Sequence, residues 1–482
     1  MDLKQKTISG LTWSFIDNFA KLGITFVVGI ILARLLEPRE FGLIGMTTIF
    51  IAISQSFIDS GFTQALIRKQ KCTQTDYSTV FFFNIINGIL FFLILFFLSG
   101  LISNFFNEPK LTSIIRVLSI SLIINALTIV QRARLIKDIN FKLQTKISII
   151  ASIVSGIIGI WMALAGYGVW ALVFKTLSGY ILTSILLWLW NKWKPTFEIS
   201  KESFIEMFTF GYKLLFSGLI DTIYKNIYLL IIGKFYSATE LGYYTRAEQF
   251  NNLPSQNIID VVQRVSFPVL SSIQDDLPRL KAAYQKLLKS TMLITFTLMF
   301  GMVVIAKPLI LILIGIKWLP TVIYLQLLCF VGITYPLQSL NLNILLVKGR
   351  SDLYLKLEII KKILALPVII IGIYYGIISL ILGMLFLNIV SYYLNSYWSG
   401  KLINYSFINQ IKDILPSFFL AAFIGVIVFL IGDFIKIGYL WKLIIQISSG
   451  IIIFWILGET IKIDDYIYLK NIVLEKFKIN DK

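Results

Sequence analysis

Apolar residues run along this chain in blocks and do not alternate with polar ones. Phe81-Phe82-Phe83 and Ile451-Ile452-Ile453-Phe454 are typical, whereas the strands of a membrane barrel alternate over about 10 residues. A spanning helix needs roughly 20 apolar residues and satisfies its own backbone hydrogen bonds in lipid. The blocks predict helices near residues 9–33, 41–66, 77–100, 111–131, 143–164 and 169–191. After a polar stretch they resume near 209–233, 240–265, 285–306, 320–347, 354–374, 377–400, 412–432 and 440–459. The fold class is all-α, a polytopic membrane protein with about 14 transmembrane helices.

Composition agrees. Of 482 residues, 57% are hydrophobic and 15% charged, with a mean hydropathy of +0.81. Soluble domains are about 45 to 50% apolar and about 25% charged, so a string of soluble domains is excluded, and disorder requires low hydrophobicity. The first apolar run is long and no small-residue cleavage pattern follows it, so it is predicted to stay as the first helix.

Charge gives the orientation. The net +18 comes from 44 Lys and Arg against 26 Asp and Glu. Sorted by side, 31 of the 44 fall in one set of connections and ends, 8 in the opposite set, and 5 inside spans, Lys21, Arg116, Lys175, Lys225 and Arg246. Cations accumulate on the cytoplasmic side, which places both termini there. Trp13, Trp188, Trp190, Trp193, Trp398 and Trp455 fall near inner ends, and Trp161, Trp170, Trp318 and Trp441 near outer ends, as headgroup-level aromatics do.

A weak internal repeat divides the chain. Leu32-Ala33-Arg34-Leu35-Leu36-Glu37-Pro38-Arg39-Glu40-Phe41-Gly42 is echoed 200 residues later by Ile232-Gly233-Lys234-Phe235-Tyr236-Ser237-Ala238-Thr239-Glu240-Leu241-Gly242. Asp17 and Lys21 are echoed by Asp221 and Lys225 at an offset of 204. Six helices per unit make this a parallel repeat about the membrane normal, a transporter plan with its substrate site between halves. The predicted divisions are an N-terminal lobe, 1–195 (helices 1–6), and a C-terminal lobe, 196–405 (helices 7–12). Two further helices and a basic cytoplasmic tail occupy 406–482.

Several chemistries are absent. There is no His, and Cys72 and Cys329 lie far apart in the topology, so neither a zinc site nor a disulfide is expected. No G-x-x-x-x-G-K-[ST] motif occurs, which excludes ATP hydrolysis by a P-loop. Outer connections are mostly under about 12 residues, ordinary linking length, and leave no room for a catalytic domain. No enzyme activity, cofactor or metal is predicted.

Ionisable groups inside spans are costly and point to function. Asp17 and Lys21, and likewise Asp221 and Lys225, are four apart on one helical face. They either line a cavity between lobes or neutralise one another within the bundle. In the first case Lys21 and Lys225 meet an anionic substrate, and Asp17 or Asp221 carries a coupling cation or proton. The eighth span is the most polar, with Tyr243, Tyr244, Arg246, Glu248, Asn252, Gln256 and Arg264 among its residues. So wet a helix cannot face acyl chains over most of its surface; a cytoplasmic amphipathic helix is the alternative. Arg116 and Lys175 are close enough to the outer end to snorkel. Asp59 stands at a cavity mouth or at the interface.

Certain stretches resemble a known family. These are Leu32 to Pro38 with Phe41-Gly42, Asp59-Ser60-Gly61-Phe62-Thr63-Gln64-Ala65-Leu66-Ile67-Arg68 and Gly166-Tyr167-Gly168-Val169-Trp170-Ala171-Leu172-Val173, followed by Leu241-Gly242-Tyr243-Tyr244-Thr245-Arg246-Ala247 and Val347-Lys348-Gly349-Arg350-Ser351. In this order they look like the polysaccharide transporter family, in particular its Wzx-type lipopolysaccharide and exopolysaccharide flippases, which are similar to colanic-acid exporters. The wider multidrug/oligosaccharidyl-lipid/polysaccharide superfamily also holds multidrug extruders and lipid II flippases. The resemblance runs from about residue 5 to 405.

It implies two six-helix lobes around a cavity that opens alternately to each side, and a cargo of oligosaccharide repeat units on undecaprenyl diphosphate. Within that picture the substrate cavity would draw on Lys21, Lys225, Arg246, Tyr243, Tyr244, Asn252, Gln256 and Arg264, with Asp17, Asp59, Asp221 and Glu248 as candidate ion-coupling groups. The candidate partners are the lipid-linked oligosaccharide, membrane lipids, a polysaccharide polymerase and a chain-length regulator; no nucleic acid is expected. A cation-coupled multidrug antiporter and a non-transporting scaffold for polysaccharide enzymes are the alternatives.

Overall fold

The computed structural model describes residues 3–435 and 437–479, with side chains described except at 3–11, 256, 257, 260, 261, 264, 265 and 472–479. Among the described residues the elements are helical. In order they are α1 Leu3–Leu35, α2 Pro38–Asp59, α3 Phe62–Arg68, α4 Gln74–Phe106, α5 Lys110–Lys137, α6 Phe141–Leu164, α7 Val169–Trp190 and α8 Lys201–Phe235. Next come α9 Ala238–Ser272, α10 Leu277–Leu313, a 3-10 turn Ile316–Trp318, α11 Thr321–Ile333, α12 Tyr335–Val347 and α13 Ser351–Tyr375. The chain closes with α14 Ile377–Ile403, α15 Phe407–Phe434, α16 Tyr439–Ile461 and α17 Asp464–Ile479.

Local sequence sets many of the boundaries. Pro38 opens α2, where Glu37 and Glu40 form a reciprocal capping box; Thr73 and Asp76 do the same for α4. Such boxes satisfy amide donors that the first turn leaves free. Left-handed residues stop α2 at Ser60, α4 at Asn107, α14 at Asn404 and α16 at Lys462.

Each of the fourteen apolar blocks falls on helix. Twelve segments of the described chain are long and apolar enough to cross a membrane. The block at 320–347 is two helices, α11 and α12, with Pro336 in the first turn of the second. The two blocks that do not qualify are α9 and α13, and polarity is the reason. Helix α9 carries Glu240, Arg246, Glu248, Gln249, Asn251 and Asn252 within its first four turns, and α13 carries Asp352, Lys356, Glu358, Lys361 and Lys362 in its first half. Hydropathy thus supports twelve spans, and the count of fourteen rests on helix length alone. The chain is a multi-pass membrane protein.

By contact the chain forms two compact units, Met1–Gly242 and Tyr243–Lys482. In the first, α4 packs on α5, α6 on α1 and α7, and α8 on α2, α3 and α4. The sequence assigns α8 to the second lobe, whereas by contact the whole helix falls in the first unit. Lys69 bridges Asp76 and Glu206, each at 2.9 Å; the Arg68 guanidinium lies 4.5 Å from the Phe210 ring centre; and Phe62 meets Phe204 edge-on at 6.0 Å. Phe62, Phe81, Trp193 and Met207 form the adjoining apolar cluster.

In the second unit α10 packs against α11, α15, α16 and α17, and α14 against α11, α12 and α13. Its interior includes a polar knot. Asn341 of α12 exchanges amide hydrogen bonds with Gln410 of α15 at 3.1 and 3.2 Å. Ser399 of α14 donates to Asn341 at 2.5 Å and Tyr392 to Gln410 at 3.3 Å. Large apolar side chains such as Phe97, Leu101, Leu164, Phe419 and Ile451 face outward, which in a spanning helix is contact with acyl chains.

Candidate functional site

A polar cavity of about 370 Å³ lies within the first unit, lined entirely by its residues. Helix α1 contributes Asp17 and Lys21, and α5 contributes Arg132. Helix α6 contributes Gln144, Ser148, Ser152 and Ser155, and α7 contributes Lys175, Thr176, Tyr180 and Thr183. The polar positions recur at i, i+4 and i+7 on both α6 (148, 152, 155) and α7 (176, 180, 183), which is one helical face. Two otherwise apolar helices thus turn a polar stripe toward each other. The Thr145 hydroxyl lies between the carbonyls of Phe141 at 2.8 Å, on its own helix, and Trp13 at 3.1 Å, on α1. Gly159 lets α7 come close; a Cβ there would stand 2.8 Å from Lys175 Cβ.

Three cations, Lys21, Arg132 and Lys175, face one carboxylate, Asp17. The hydroxyls are committed in direction. Thr176 donates to the Leu172 carbonyl at 2.9 Å, Thr183 to Gly179 at 2.7 Å and Ser155 to Ser152 at 3.3 Å. Their lone pairs remain for other donors. Gln55 of α2 donates to the Tyr180 hydroxyl at 3.0 Å, so the phenolic proton is left to donate elsewhere. Asp17 Oδ1 and Gln144 Oε1 are buried and have no hydrogen-bond partner among the described residues.

The sequence-derived residues are distributed as follows. Asp17 and Lys21 line the cavity. Lys225 and Asp221 stand at exposed positions on α8 and are not among the lining residues, so Lys21 and Lys225 are not brought together here. Asp59 accepts from the Thr63 backbone at 3.3 Å and from its hydroxyl at 2.5 Å, which caps α3. Tyr243 meets Trp318 edge-on at 6.1 Å. Tyr244 is buried with its hydroxyl 3.9 Å from Met384 Sδ. Arg246 is buried, donates to Gln249 and lies 5.9 Å from the Trp318 ring centre. Glu248 and Asn252 are half-buried. The side chains of Gln256 and Arg264 lie outside the described residues.

The two residues for which snorkelling is expected part company. Arg116 donates to Ser99 at 3.0 Å and stacks on Phe96 at 4.7 Å, whereas Lys175 lines the cavity. Arg132 is counted by the sequence with the cytoplasmic cations because it stands beside Arg134 and Lys137, but it too lines the cavity. The signal available for it was the pair of polar stripes on α6 and α7.

Residues 31–323 match the family model described as "Polysaccharide biosynthesis protein". The chain belongs to the polysaccharide biosynthesis protein family. Among its relatives in this family, it is 27% identical over 445 residues to the lipopolysaccharide biosynthesis protein WzxC of Escherichia coli, covering 90% of this chain and 89% of that one. It is 29% identical over 356 residues to the teichuronic acid biosynthesis protein TuaB of Bacillus subtilis, covering 73% of each. In fold it resembles the lipid II flippase MurJ, with a TM-score of 0.75 at 16% identity over 96% of this chain and 100% of that structure. A multidrug resistance MATE family transporter of the MOP superfamily in its inward-facing conformation gives 0.63 at 14% identity, over 82% and 98%.

Proposed function

We propose that this protein is a flippase that carries undecaprenyl-diphosphate-linked oligosaccharide repeat units across the bacterial inner membrane for lipopolysaccharide, capsule or exopolysaccharide synthesis. Two six-helix lobes, 1–195 and 196–405, followed by the helices and tail of 406–482, would open a cavity alternately to each side. No ATP hydrolysis and no catalytic step are involved. Both termini are cytoplasmic.

The observation that carries this is the cavity, in a chain of the polysaccharide biosynthesis family. Lys21 is exposed and Arg132 and Lys175 are part-buried, yet all three line one cavity, and a charged head group would meet such cations through short, charge-assisted hydrogen bonds. A multidrug antiporter for cationic compounds calls for acidic groups in excess, and the lining has the opposite balance. Lys21 and Lys225 remain the proposed residues for the anion, with Arg246, Tyr243, Tyr244, Asn252, Gln256 and Arg264 as further proposed substrate residues. Among the coupling candidates Asp17 has the better position. Asp59 is occupied with the cap of α3, while Asp221 and Glu248 stand outside the cavity. A polymerase and a chain-length regulator are the proposed partners.

Deletion of the gene should leave lipid-linked repeat units accumulating on the cytoplasmic leaflet, with surface polysaccharide lost and restored by the wild-type gene. Normal polysaccharide in the deletion strain overturns the proposal. Lys21→Ala combined with Lys225→Ala should abolish surface polysaccharide while the protein stays in the membrane; normal polymer in that variant removes both lysines from the site.

A further inference from the structure

We infer that the cavity of the first unit is a subsite for a single acidic sugar, a pyranose that carries a carboxylate or a phosphate, and not for the anionic group alone. The inference rests on the transport function proposed above and adds the chemical class that this unit selects.

Two sets of groups meet in the cavity. Lys21, Arg132, Lys175 and the Tyr180 proton, oriented by Gln55, supply donors for an anion. Thr176, Thr183 and Ser155 have given their protons to helix carbonyls, so they offer lone pairs. Asp17 Oδ1 and Gln144 Oε1 add two buried acceptors without a partner among the described residues. A site for a bare phosphate or diphosphate has no use for acceptors, since a fully ionised oxyanion brings no protons and is repelled by Asp17. A neutral sugar has no use for three cations. A polyhydroxylated ring with one anionic substituent satisfies both sets, hydroxyl protons going to Asp17, Gln144 and the Ser/Thr oxygens, and the anion going to the cations.

Size agrees. From Lys175 to Leu187 the lining follows α7 for about 18 Å at 1.5 Å per residue, yet the volume is about 370 Å³, near the low end of small-molecule pockets at about 300 to 1,000 Å³. At that volume the cavity is too small for a whole oligosaccharide. The serine stripe of α6 and the threonine and tyrosine stripe of α7 form its two walls. Recognition of one acidic ring by the first unit would leave the remaining sugars free to vary.

Purified full-length protein in detergent tests this by thermal unfolding with four probes at matched millimolar concentration: glucuronate, glucose 1-phosphate, glucose and inorganic pyrophosphate. Glucuronate or glucose 1-phosphate should raise the unfolding temperature with an apparent affinity at least about tenfold above that for glucose and for pyrophosphate. Stabilisation by glucuronate alone assigns the charge to a carboxylate on the ring, and by glucose 1-phosphate alone to the linking phosphate. Equal stabilisation by glucose, equal stabilisation by pyrophosphate, or none by either acidic sugar overturns the inference. Lys175→Gln should weaken the effective probe by about tenfold; where that variant is not recovered folded, Arg132→Gln carries the same test, and wild-type binding by the variant examined overturns the assignment. Complementation of the deletion strain by the wild-type gene is scored in parallel. Failure there overturns the transport function, whereas complementation without acidic-sugar binding overturns the subsite alone.

Discussion

Gly42 abuts the backbone of Ala238, and 200 residues further on Gly242 abuts the backbone of Pro38. A Cβ built on Gly42 would stand 3.0 Å from Ala238 Cα, and one on Gly242 would stand 3.2 Å from Pro38 Cα. The turn that ends α1 and opens α2 thus meets the turn that ends α8 and opens α9, and the contacts are exchanged between equivalent positions of the sequence repeat. Both turns break at equivalent residues, after Leu35 and Phe235, and helix resumes at Pro38 and Ala238. A methyl group at either glycine must push two backbones apart, and overpacking of this kind costs about 1 to 3 kcal/mol. Gly42→Ala and Gly242→Ala should each lower the unfolding temperature of the purified protein. Unfolding of both variants at the wild-type temperature would show that the turns do not approach this closely.

The tie between Gln55 and Tyr180 should be visible in transport. Gln55→Leu keeps the volume of the side chain but removes the donor at 3.0 Å from the phenol, so the Tyr180 proton loses its fixed direction. Surface polysaccharide should fall severalfold in cells with unchanged protein levels, and Tyr180→Phe should fall by a similar amount. Because the two residues act through one hydrogen bond, the double variant should export little less than either single one. Additive losses would mean that Gln55 acts elsewhere.

In the second unit the amide pair of Asn341 and Gln410 is fully buried. Gln410→Leu leaves the Asn341 amide short of partners, and an unmet buried polar group costs about 1 to 3 kcal/mol. Replacing both with Leu removes the unmet amide along with the bond and leaves the Ser399 and Tyr392 hydroxyls without these acceptors. Chemical denaturation of the single and double variants should therefore give a double variant less destabilised than the sum of the singles.

Lys69 gives a pH dependence whose sign can be worked out. Burial pulls its ammonium down, but hydrogen bonds to Glu206 and Asp76 outweigh this and leave it above its ordinary 10.5. A group raised in the folded state stabilises fully below its unfolded value and loses that contribution as pH rises through the folded one. The stability difference between wild type and Lys69→Met should hold constant from pH 7 to about pH 10 and shrink above it. A difference that grows with alkalinity would exclude the bridge. The side chain of Glu206 is 59% exposed, so Glu206→Gln should change stability much less than Asp76→Asn, whose side chain is 1% exposed.

Much of this was legible in the chain itself. Runs such as Phe91-Phe92-Leu93-Ile94-Leu95-Phe96-Phe97 read as helix in lipid, because helices and closed barrels alone satisfy the backbone there and barrel strands alternate. The caps at Glu37 and Thr73 follow from residues within three positions, and Asp17 with Lys21 is one face of one helix. These are local properties, fixed by periodicity and by near neighbours. The repeat at an offset of 200 also needed only the sequence.

What the tertiary structure alone decided was which faces meet. Arg132 reads as one more cytoplasmic cation until α5 is laid beside α7, and Lys175 reads as snorkelling until Gly159 brings α6 close enough to enclose it. The serine stripe at 148, 152 and 155 and the stripe at 176, 180 and 183 are each too weak to distinguish from ordinary hydroxyls that bond back to their own helix. Only their apposition makes a cavity. Lys21 and Lys225, paired by sequence analogy, occupy different surroundings because α8 packs on α2, α3 and α4 while α1 packs on α6. Local periodicity determines where a helix runs and which residues share a face; long-range packing determines what that face sees, and a binding site is a statement about the second.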